Sequence, residues 1–448
     1  MTPVLGHGVG SVRDLPVPQW LFYYGAGVVL IASFLALVVL WRRPLLDRHR
    51  RGRPLPAWTQ RVVLSGALRA LLGLLAFGLL VLVMATALVG DRSAVTNIAP
   101  TFVYIAFWLG LVPVVVLLGN VWPALNPWRA AADAVEWVLA RAGVRSEPFA
   151  YPERVGRWPA AVLLLLFAAL ELAYFDPADP RMLAVAIFLY SGAMWLGALV
   201  FGSERWFPSA DAFTVYFELL SRIAPLGVRA SEEGRREAIV RVPATGLAGL
   251  RDPRPGTIAF VAVMLGSVGF DGFSRISWWQ DRLVGMGDAG TTLFSLGGLV
   301  AAVLLVAAAY LLAVESARRL AGAERHLAKA FVASLVPIAL VYAVSHYFSL
   351  LVIQGQFLIP LASDPFGWGW DLFGTLDYRP NLAPFSPNTI WYVQVGTLVG
   401  GHVLGLALAH DRALELFGDT RRALKSQIPL LVQMVLYTVG GLWLLSQG

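Results

Sequence analysis

Four ionisable side chains interrupt long apolar runs of the sequence: Glu171, Asp271, His346 and His402. Ionisable groups inside membrane-spanning segments are energetically costly, so they usually face protein or water and commonly mark functional sites. Two imidazoles and a carboxylate can bind a divalent metal ion, which activates water for hydrolysis. Two histidines can instead ligate haem, and Asp271 and His346 can exchange protons without a cofactor. We therefore predict Asp271, His346 and His402 as catalytic residues and candidate metal ligands, with haem as the weaker alternative.

Helical spacing places other polar residues beside these four. Residues three, four or seven positions apart share one face of a helix. Three polar faces result: Tyr342, His346, Ser349 and Gln356; Trp391, Gln394 and His402; and Ser267, Asp271, Ser274 and Trp278. Polar faces must avoid lipid. We therefore predict one cavity, open to the outside and lined by Glu171, Tyr342, Ser349, Gln356 and Gln394.

Each of these residues also fits a purely structural role. Asp271 and Arg275 are four residues apart and can form an ion pair within one helix. Glu171 lies near the end of its apolar run, where water can solvate it. A buried histidine such as His346 or His402 can simply bond a neighbouring helix. Helical spacing indicates that each face avoids lipid and leaves open whether the three faces meet.

The composition is that of a membrane protein. Of 448 residues, 58% are hydrophobic and 14% are charged, compared with about 25% charged residues in soluble domains. The chain has no cysteine, which excludes disulfides, thiolate metal sites and cysteine nucleophiles. Its net charge of +7 comes from arginines in short loops, so we predict contact with lipid headgroups and no nucleic-acid partner.

Ten apolar runs are long enough, or nearly so, to cross a bilayer core of about 30 Å as helices. The predicted spans are 18–41, 65–89, 99–119, 158–175, 181–202, 257–275, 291–314, 330–353, 390–410 and 427–446. The fourth, 158–175, is the shortest. We predict a single all-α integral membrane domain that comprises residues 1–448.

The basic residues determine the predicted orientation of these spans. Alternate loops, at 42–64, 120–157, 203–256, 315–329 and 411–426, contain 28 of the 35 Lys and Arg residues. Cytoplasmic loops of membrane proteins are enriched in these residues, so we expect the five loops to lie in the cytoplasm. Both termini are then predicted to lie outside.

Four of the connecting segments have a composition that predicts more than a simple linker. Residues 127–142 and 209–223 have the polar and apolar faces of amphipathic helices, starting at Pro127 and Ser209, and we expect both on the cytoplasmic membrane surface. The charged segment 229–256 contains several glycines and prolines and is predicted to be a surface loop. On the outer side, the aromatic-rich segment 355–389 is predicted to form a lid over the cavity.

Several long segments of the chain resemble one family of membrane proteins. They are LPVPQWLF (15–22), GNVWPALNPWRA (119–130), SADAFTVYFELLSRIAPLG (209–227), GSVGFDGFSRISWWQD (266–281), AVSHYFSLLVIQGQF (343–357), SDPFGWGWDLFGTLDYRPNLAPFSPNTIWYVQVG (363–396) and GHVLGLALAHDRAL (401–414). They resemble bacterial polytopic membrane proteins known as fenitrothion hydrolases, common in actinobacteria, over nearly the whole chain. The resemblance implies a hydrolase of the bacterial cytoplasmic membrane that splits the aryl ester bond of organophosphate triesters with water. It assigns no catalytic residue.

Two hypotheses about function remain open from the sequence. The first is a membrane-embedded hydrolase, assisted by a metal ion, that acts on a small apolar phosphate ester reaching the site from the lipid bilayer. The second is a transporter or permease, or a subunit of a membrane complex that holds haem or a metal ion. The sequence does not identify protein partners or the physiological substrate.

Overall fold

The computed structural model describes residues 19–46, 52–144, 147–231, 234–324 and 326–446. The first residue of the predicted span 18–41 and two of the six histidines, His7 and His49, lie outside these ranges.

Nine helices among the described residues are long and apolar enough to cross a membrane. They are Trp20–Leu40, Ala57–Val89, Ile98–Leu118, Pro180–Phe201, Thr257–Ser274, Asp288–Ala321, Ala328–Ser363, Pro387–Phe417 and Thr420–Leu444. Large apolar side chains such as Val28, Leu74 and Leu305 are mostly exposed on their outer surfaces. Such a surface is stable where lipid replaces water, and the chain is a predominantly helical, multi-pass membrane protein.

Nine of the ten predicted spans correspond to these helices. The tenth, predicted at 158–175, is a helix of 15 residues, Trp158–Leu172. At 1.5 Å per residue it is about 22 Å long, which is less than the bilayer core of roughly 30 Å. The helix packs mainly against Thr257–Ser274. It carries Glu171 in its last turn.

The elements are numbered in chain order. The helices are α1 (Gln19–Leu40), α2 (Ala57–Val63), α3 (Gly66–Val89), α4 (Ile98–Thr101), α5 (Leu111–Leu118), α6 (Trp122–Leu125), α7 (Pro127–Arg141), α8 (Trp158–Leu172), α9 (Pro180–Phe201), α10 (Ser203–Ala210), α11 (Ala212–Ser221), α12 (Thr257–Ser274), α13 (Ser277–Leu283), α14 (Asp288–Ala321), α15 (Ala328–Phe331), α16 (Leu335–Gln354), α17 (Leu358–Ser363), α18 (Pro387–Phe417) and α19 (Thr420–Leu445). A π-helical stretch, Phe102–Leu109, joins α4 to α5. Short 3₁₀ turns lie at Thr245–Gly249, Val332–Ser334 and Gly355–Phe357.

The prediction of an all-α chain was wrong in one place, because a small antiparallel sheet occurs among the charged loops. Its strands are β1 (Arg53–Pro54), β2 (Leu226–Ala230) and β3 (Arg236–Val240), in the order β1-β3-β2. Leu226 lies opposite Val240, and Ala230 lies opposite Arg236. Part of the predicted surface loop 229–256 is therefore a β-hairpin, since its backbone groups pair with each other rather than with water.

Residues 127–142 form the predicted helix α7, whereas residues 209–223 differ from the prediction. The helix α11 begins after Asp211, whose side chain accepts from the Phe213 backbone N–H at 3.0 Å, so Ser209 is not its N-cap. Phe213, Val215 and Tyr216 point in different directions around α11, and all three are buried. This helix therefore lies inside the protein and not along the membrane surface.

Hydrogen bonds between distant parts of the chain hold the two ends of the bundle. At one end the Trp41 indole donates to the Asp411 carboxylate at 3.0 Å. At the other, the hydroxyls of Tyr23 and Ser446 bond at 2.6 Å. The first end carries the arginine-rich loops and is called the basic end, and the second is called the opposite end.

Candidate functional site

The candidate site lies towards the opposite end of the bundle, where α12 meets α16. Asp271, near the end of α12, is only 1% exposed. Its Oδ2 accepts a hydrogen bond from His346 Nε2 on α16 at 2.8 Å. Its Oδ1 accepts from Arg275, from Nε at 3.2 Å and from Nη2 at 3.0 Å. Both oxygens of this buried carboxylate are therefore paired, one with an imidazole and the other with a guanidinium.

The local sequence explains this arrangement. Asp271 and Arg275 are one helical turn apart, so they lie on the same face of α12. Gly272 follows Asp271, and a Cβ built there would lie 3.3 Å from Leu444 Cβ and 3.9 Å from His346 Cε1. The glycine thus allows α19 to pack close to α12, next to the turn at which the imidazole meets the carboxylate.

The pairing also determines where a proton can be accepted. An ionised carboxylate only accepts hydrogen bonds, so Nε2 of His346 carries a hydrogen atom and Nδ1 is the ring nitrogen that remains basic. The Arg275 guanidinium compensates the charge of Asp271. The side chains of His346 and Arg275 are 12% and 29% exposed, so both are partly accessible. An imidazole held in this way by a carboxylate can act as a general base.

A small cavity lies next to this pair. Glu171 of α8, Ser267 of α12 and Tyr347 of α16 line it together with apolar side chains. Tyr347 also interacts electrostatically with Asp271. The cavity volume is about 20 Å³, which is sufficient for a water molecule and too small for an organic substrate.

Buried aromatic residues form the other walls of the cavity. Trp108 and Leu109 belong to the π-helical stretch. Such stretches are rare and often occur at functional sites. Tyr216 of the buried helix α11 contacts Trp108, with ring centroids 4.5 Å apart. The π-helical stretch and α11 therefore bound the cavity, and the sequence did not predict that either element would lie there.

His402 lies in a different environment from Asp271 and His346. It is fully buried on α18, and its Nδ1–H donates to its own helix, to Leu398 O at 2.8 Å. Nε2 has no hydrogen-bond partner among the described residues, and the imidazole ring lies 6.4 Å from the Tyr342 ring.

The predicted metal ligands do not form a metal site. The described part of the chain contains no group of three His, Cys, Asp or Glu side chains placed to hold a metal ion. Asp271 and His346 bond each other, while His402 bonds its own helix. The described geometry therefore does not fit the predicted three-ligand metal site of Asp271, His346 and His402.

Of the five predicted cavity residues, Glu171 lines the cavity, Tyr342 and Gln394 bond other helices, and Ser349 is buried. The Tyr342 hydroxyl donates to Tyr437 O on α19 at 2.9 Å. Ser349 is buried within α16. The backbone oxygen of Gln394 accepts from Ser345 Oγ at 2.9 Å. Each of the three polar faces thus packs against another helix. Among the described residues, only the faces on α12 and α16 bring ionisable side chains into contact with each other.

The fifth, Gln356, holds the segment 355–389. Its Oε1 accepts from Asn381 N at 2.9 Å and its Nε2 donates to Asn381 O at 2.9 Å. Asp91 N donates to Phe366 O at 2.8 Å, which joins the segment to the loop before α4. The segment is therefore attached to the helix bundle at these points, although most side chains of residues 368–389 are exposed. It contributes no residue to the cavity beside Glu171, however, so it does not roof that cavity.

Tyr347 is the residue of this site that sequence reasoning missed. It directly follows His346, and successive residues point about 100° apart around a helix. It therefore did not share the polar face on which the prediction was based. The signal that would have identified it is an adjacent pair of titratable aromatic residues on one buried helix.

Comparison of the chain with protein-family models, with curated proteins and with solved structures finds no match.

Proposed function

We propose that the protein is a membrane-embedded hydrolase in which His346, held by Asp271, acts as the general base. The observation that supports this proposal is the 2.8 Å hydrogen bond between His346 Nε2 and Asp271 Oδ2, which leaves Nδ1 available for a proton. The resemblance to fenitrothion hydrolases supplies the substrate class, apolar organophosphate triesters.

The proposed reaction requires a base, a nucleophile and positive charge. Water attacks phosphorus, its proton passes to Nδ1 of His346, and the bond from phosphorus to the aryl oxygen breaks. The leaving aryloxide then takes the proton from the imidazolium. Arg275 lies next to the pair and would stabilise charge on the phosphoryl oxygen. The cavity lined by Glu171 and Tyr347 has room only for a water molecule, so the substrate is placed above it, at the partly exposed His346 and Arg275.

The test uses the full-length protein purified in a neutral detergent and a dialkyl p-nitrophenyl phosphate as the probe. General-base catalysis contributes about 10²–10⁴-fold, so Asp271→Asn and His346→Gln are each expected to reduce p-nitrophenolate release by that factor. His402→Gln, another membrane-buried histidine, is the matched control and is expected to retain activity. Equal release by the wild type and both site variants would refute the proposal.

A second function, proton-coupled transport, has one observation in its favour. Glu171 is a second, partly buried carboxylate that interacts electrostatically with Asp271 and Arg275, and it lines the water-sized cavity. Chains of acidic residues and histidines around water are typical of proton pathways. Glu171, Asp271 and His346 would then pass protons and would not act on an ester.

Reconstitution into vesicles separates the two functions. A pH-sensitive dye inside the vesicles reports proton movement after a pH gradient is applied. Transport predicts flux in the wild type that is lost in Glu171→Gln, with no ester hydrolysis. Hydrolysis without flux above that of empty vesicles would favour the enzyme.

The orientation and location belong to the same proposal. We propose that the basic end faces the cytoplasm of a bacterial cell and that both termini lie outside, because arginine-rich loops are retained in the cytoplasm. Asp271 and His346 would then face the outer leaflet, from which an apolar ester can enter. The thiol of Arg61→Cys should be labelled from the cytoplasmic side and not by a reagent applied outside intact cells. Labelling from outside would contradict this orientation.

A further inference from the structure

A buried arginine at the basic end has unused hydrogen-bond donors. Arg157 is 8% exposed and immediately precedes α8. Its Nη2 donates to Glu218 Oε2 at 3.0 Å. Its Nε and Nη1 are buried without a hydrogen-bond partner among the described residues. A buried donor without an acceptor is unfavourable, so these atoms indicate that an acceptor belongs here.

The residues around Arg157 are positively charged. Arg222 donates through Nε to Glu218 Oε1 at 2.5 Å, and Arg254 donates to Ser209 Oγ at 2.8 Å. Arg157, Arg222, Arg254 and Glu218 form the Arg157 cluster, with three positive charges and one negative charge. Burial lowers the pKa of the Arg157 guanidinium; Glu218 opposes this shift, whereas Arg222 and Arg254 add to it. A bound anion would relieve both the desolvation and the repulsion.

Two helix N-termini lie at the same place. The helix α8 begins at Trp158 and α12 begins at Thr257, and Arg157 N donates to Pro255 O at 2.6 Å. A Cβ built on Gly256 would lie 2.5 Å from Trp158 N, so the glycine permits this close approach. Helix N-termini carry partial positive charge, which favours anions.

We propose that the Arg157 cluster binds a phosphate group. Guanidinium groups match the geometry of phosphate oxygens, and a phosphate anion would offset the excess positive charge of the cluster. The cluster lies where the short helix α8 and the membrane-spanning helix α12 begin, at the end that carries the basic loops, where lipid headgroups are expected. The phosphate can therefore come from an anionic lipid or from a free phosphate ion. This proposal is independent of the chemistry proposed at Asp271 and His346.

The test measures the thermal unfolding midpoint of the full-length protein in a neutral detergent by tryptophan fluorescence. The probes are inorganic phosphate, phosphatidylglycerol and, as the uncharged comparison, phosphatidylcholine. A saturable rise with phosphate, phosphatidylglycerol or both supports the proposal, and which of them acts identifies the source of the phosphate. No rise with either, or an equal rise with phosphatidylcholine, overturns it.

Variants locate the effect within the protein. Arg254 is exposed and can be replaced without disturbing the core. Arg254→Gln removes one charged contact and is expected to weaken binding about tenfold or more. Arg61→Gln removes a basic residue from α2 at the same end of the bundle, outside the cluster, and is expected to bind as the wild type does. Equal weakening in both variants would show a general charge effect and would refute the site.

Discussion

Gly401 of α18 lies in close contact with α16, which makes a sharp prediction possible. A Cβ built on Gly401 would lie 2.3 Å from both γ carbons of Val341 and 2.8 Å from its Cβ. Ordinary contacts begin near 3.4 Å, so the two helices would have to separate by about 1 Å. Val341 cannot rotate away, because a helical valine has essentially one available rotamer. The expected effect of Gly401→Ala is an overpacking penalty of about 1–3 kcal/mol.

Gly400 provides the matched control. It is exposed, and a Cβ built there meets nothing within 4 Å. Both substitutions change helix propensity equally, by about 1 kcal/mol in favour of alanine. The difference between Gly401→Ala and Gly400→Ala therefore isolates the packing penalty. We expect Gly401→Ala to be the less stable variant by about 1–3 kcal/mol, measured by reversible unfolding in mixed detergent micelles.

A double substitution tests the cause. Val341→Ala removes the two γ carbons that the methyl group introduced by Gly401→Ala would contact. The pair Gly401→Ala and Val341→Ala should therefore be more stable than the sum of the single effects predicts. Equal stability of Gly401→Ala and Gly400→Ala, or strict additivity in the double variant, would refute the packing that the structure shows.

Two further predictions concern buried and exposed aspartates. Asp211 accepts from Tyr190 Oη at 2.6 Å and from Asn126 Nδ2 at 2.7 Å. Because both donors lose their acceptor, Asp211→Ala should destabilise the fold by more than the roughly 0.5–2 kcal/mol of an ordinary lost N-cap. Unfolding in detergent measures this loss of stability, and a loss no larger than that of Asp211→Asn would contradict the prediction. The Thr96 hydroxyl, 2.7 Å from Asp91 Oδ2, lowers the pKa of that carboxyl below its ordinary value. Because the pKa is lower in the folded state, the bond stabilises the fold above the unfolded-state pKa, and the contribution is lost as the pH falls through the folded-state value. Thr96→Val should therefore lower the unfolding midpoint at neutral pH, and the difference from the wild type should disappear once the pH falls below the folded-state pKa of Asp91. A difference that is independent of pH would contradict this.

The sequence by itself determined the features that depend on local order. Long apolar runs require helices in lipid, because every backbone polar group must then be bonded within its own segment. Nine of the predicted spans follow from this requirement alone. The pair Asp271 and Arg275 is local too, since a spacing of four residues places both on one helical face.

Contacts between distant segments were decided only by the tertiary structure. Helical phase gives the direction in which a side chain points and does not identify the helix that it meets. Asp271 could therefore be paired with Arg275 from the sequence, whereas its bond to His346, 75 residues away, and the separate position of His402 could not be predicted. The same reason applies to the glycines of α18, which look alike in sequence. Gly401 packs against α16, whereas Gly400 faces open space, because only the position of the neighbouring helix distinguishes them.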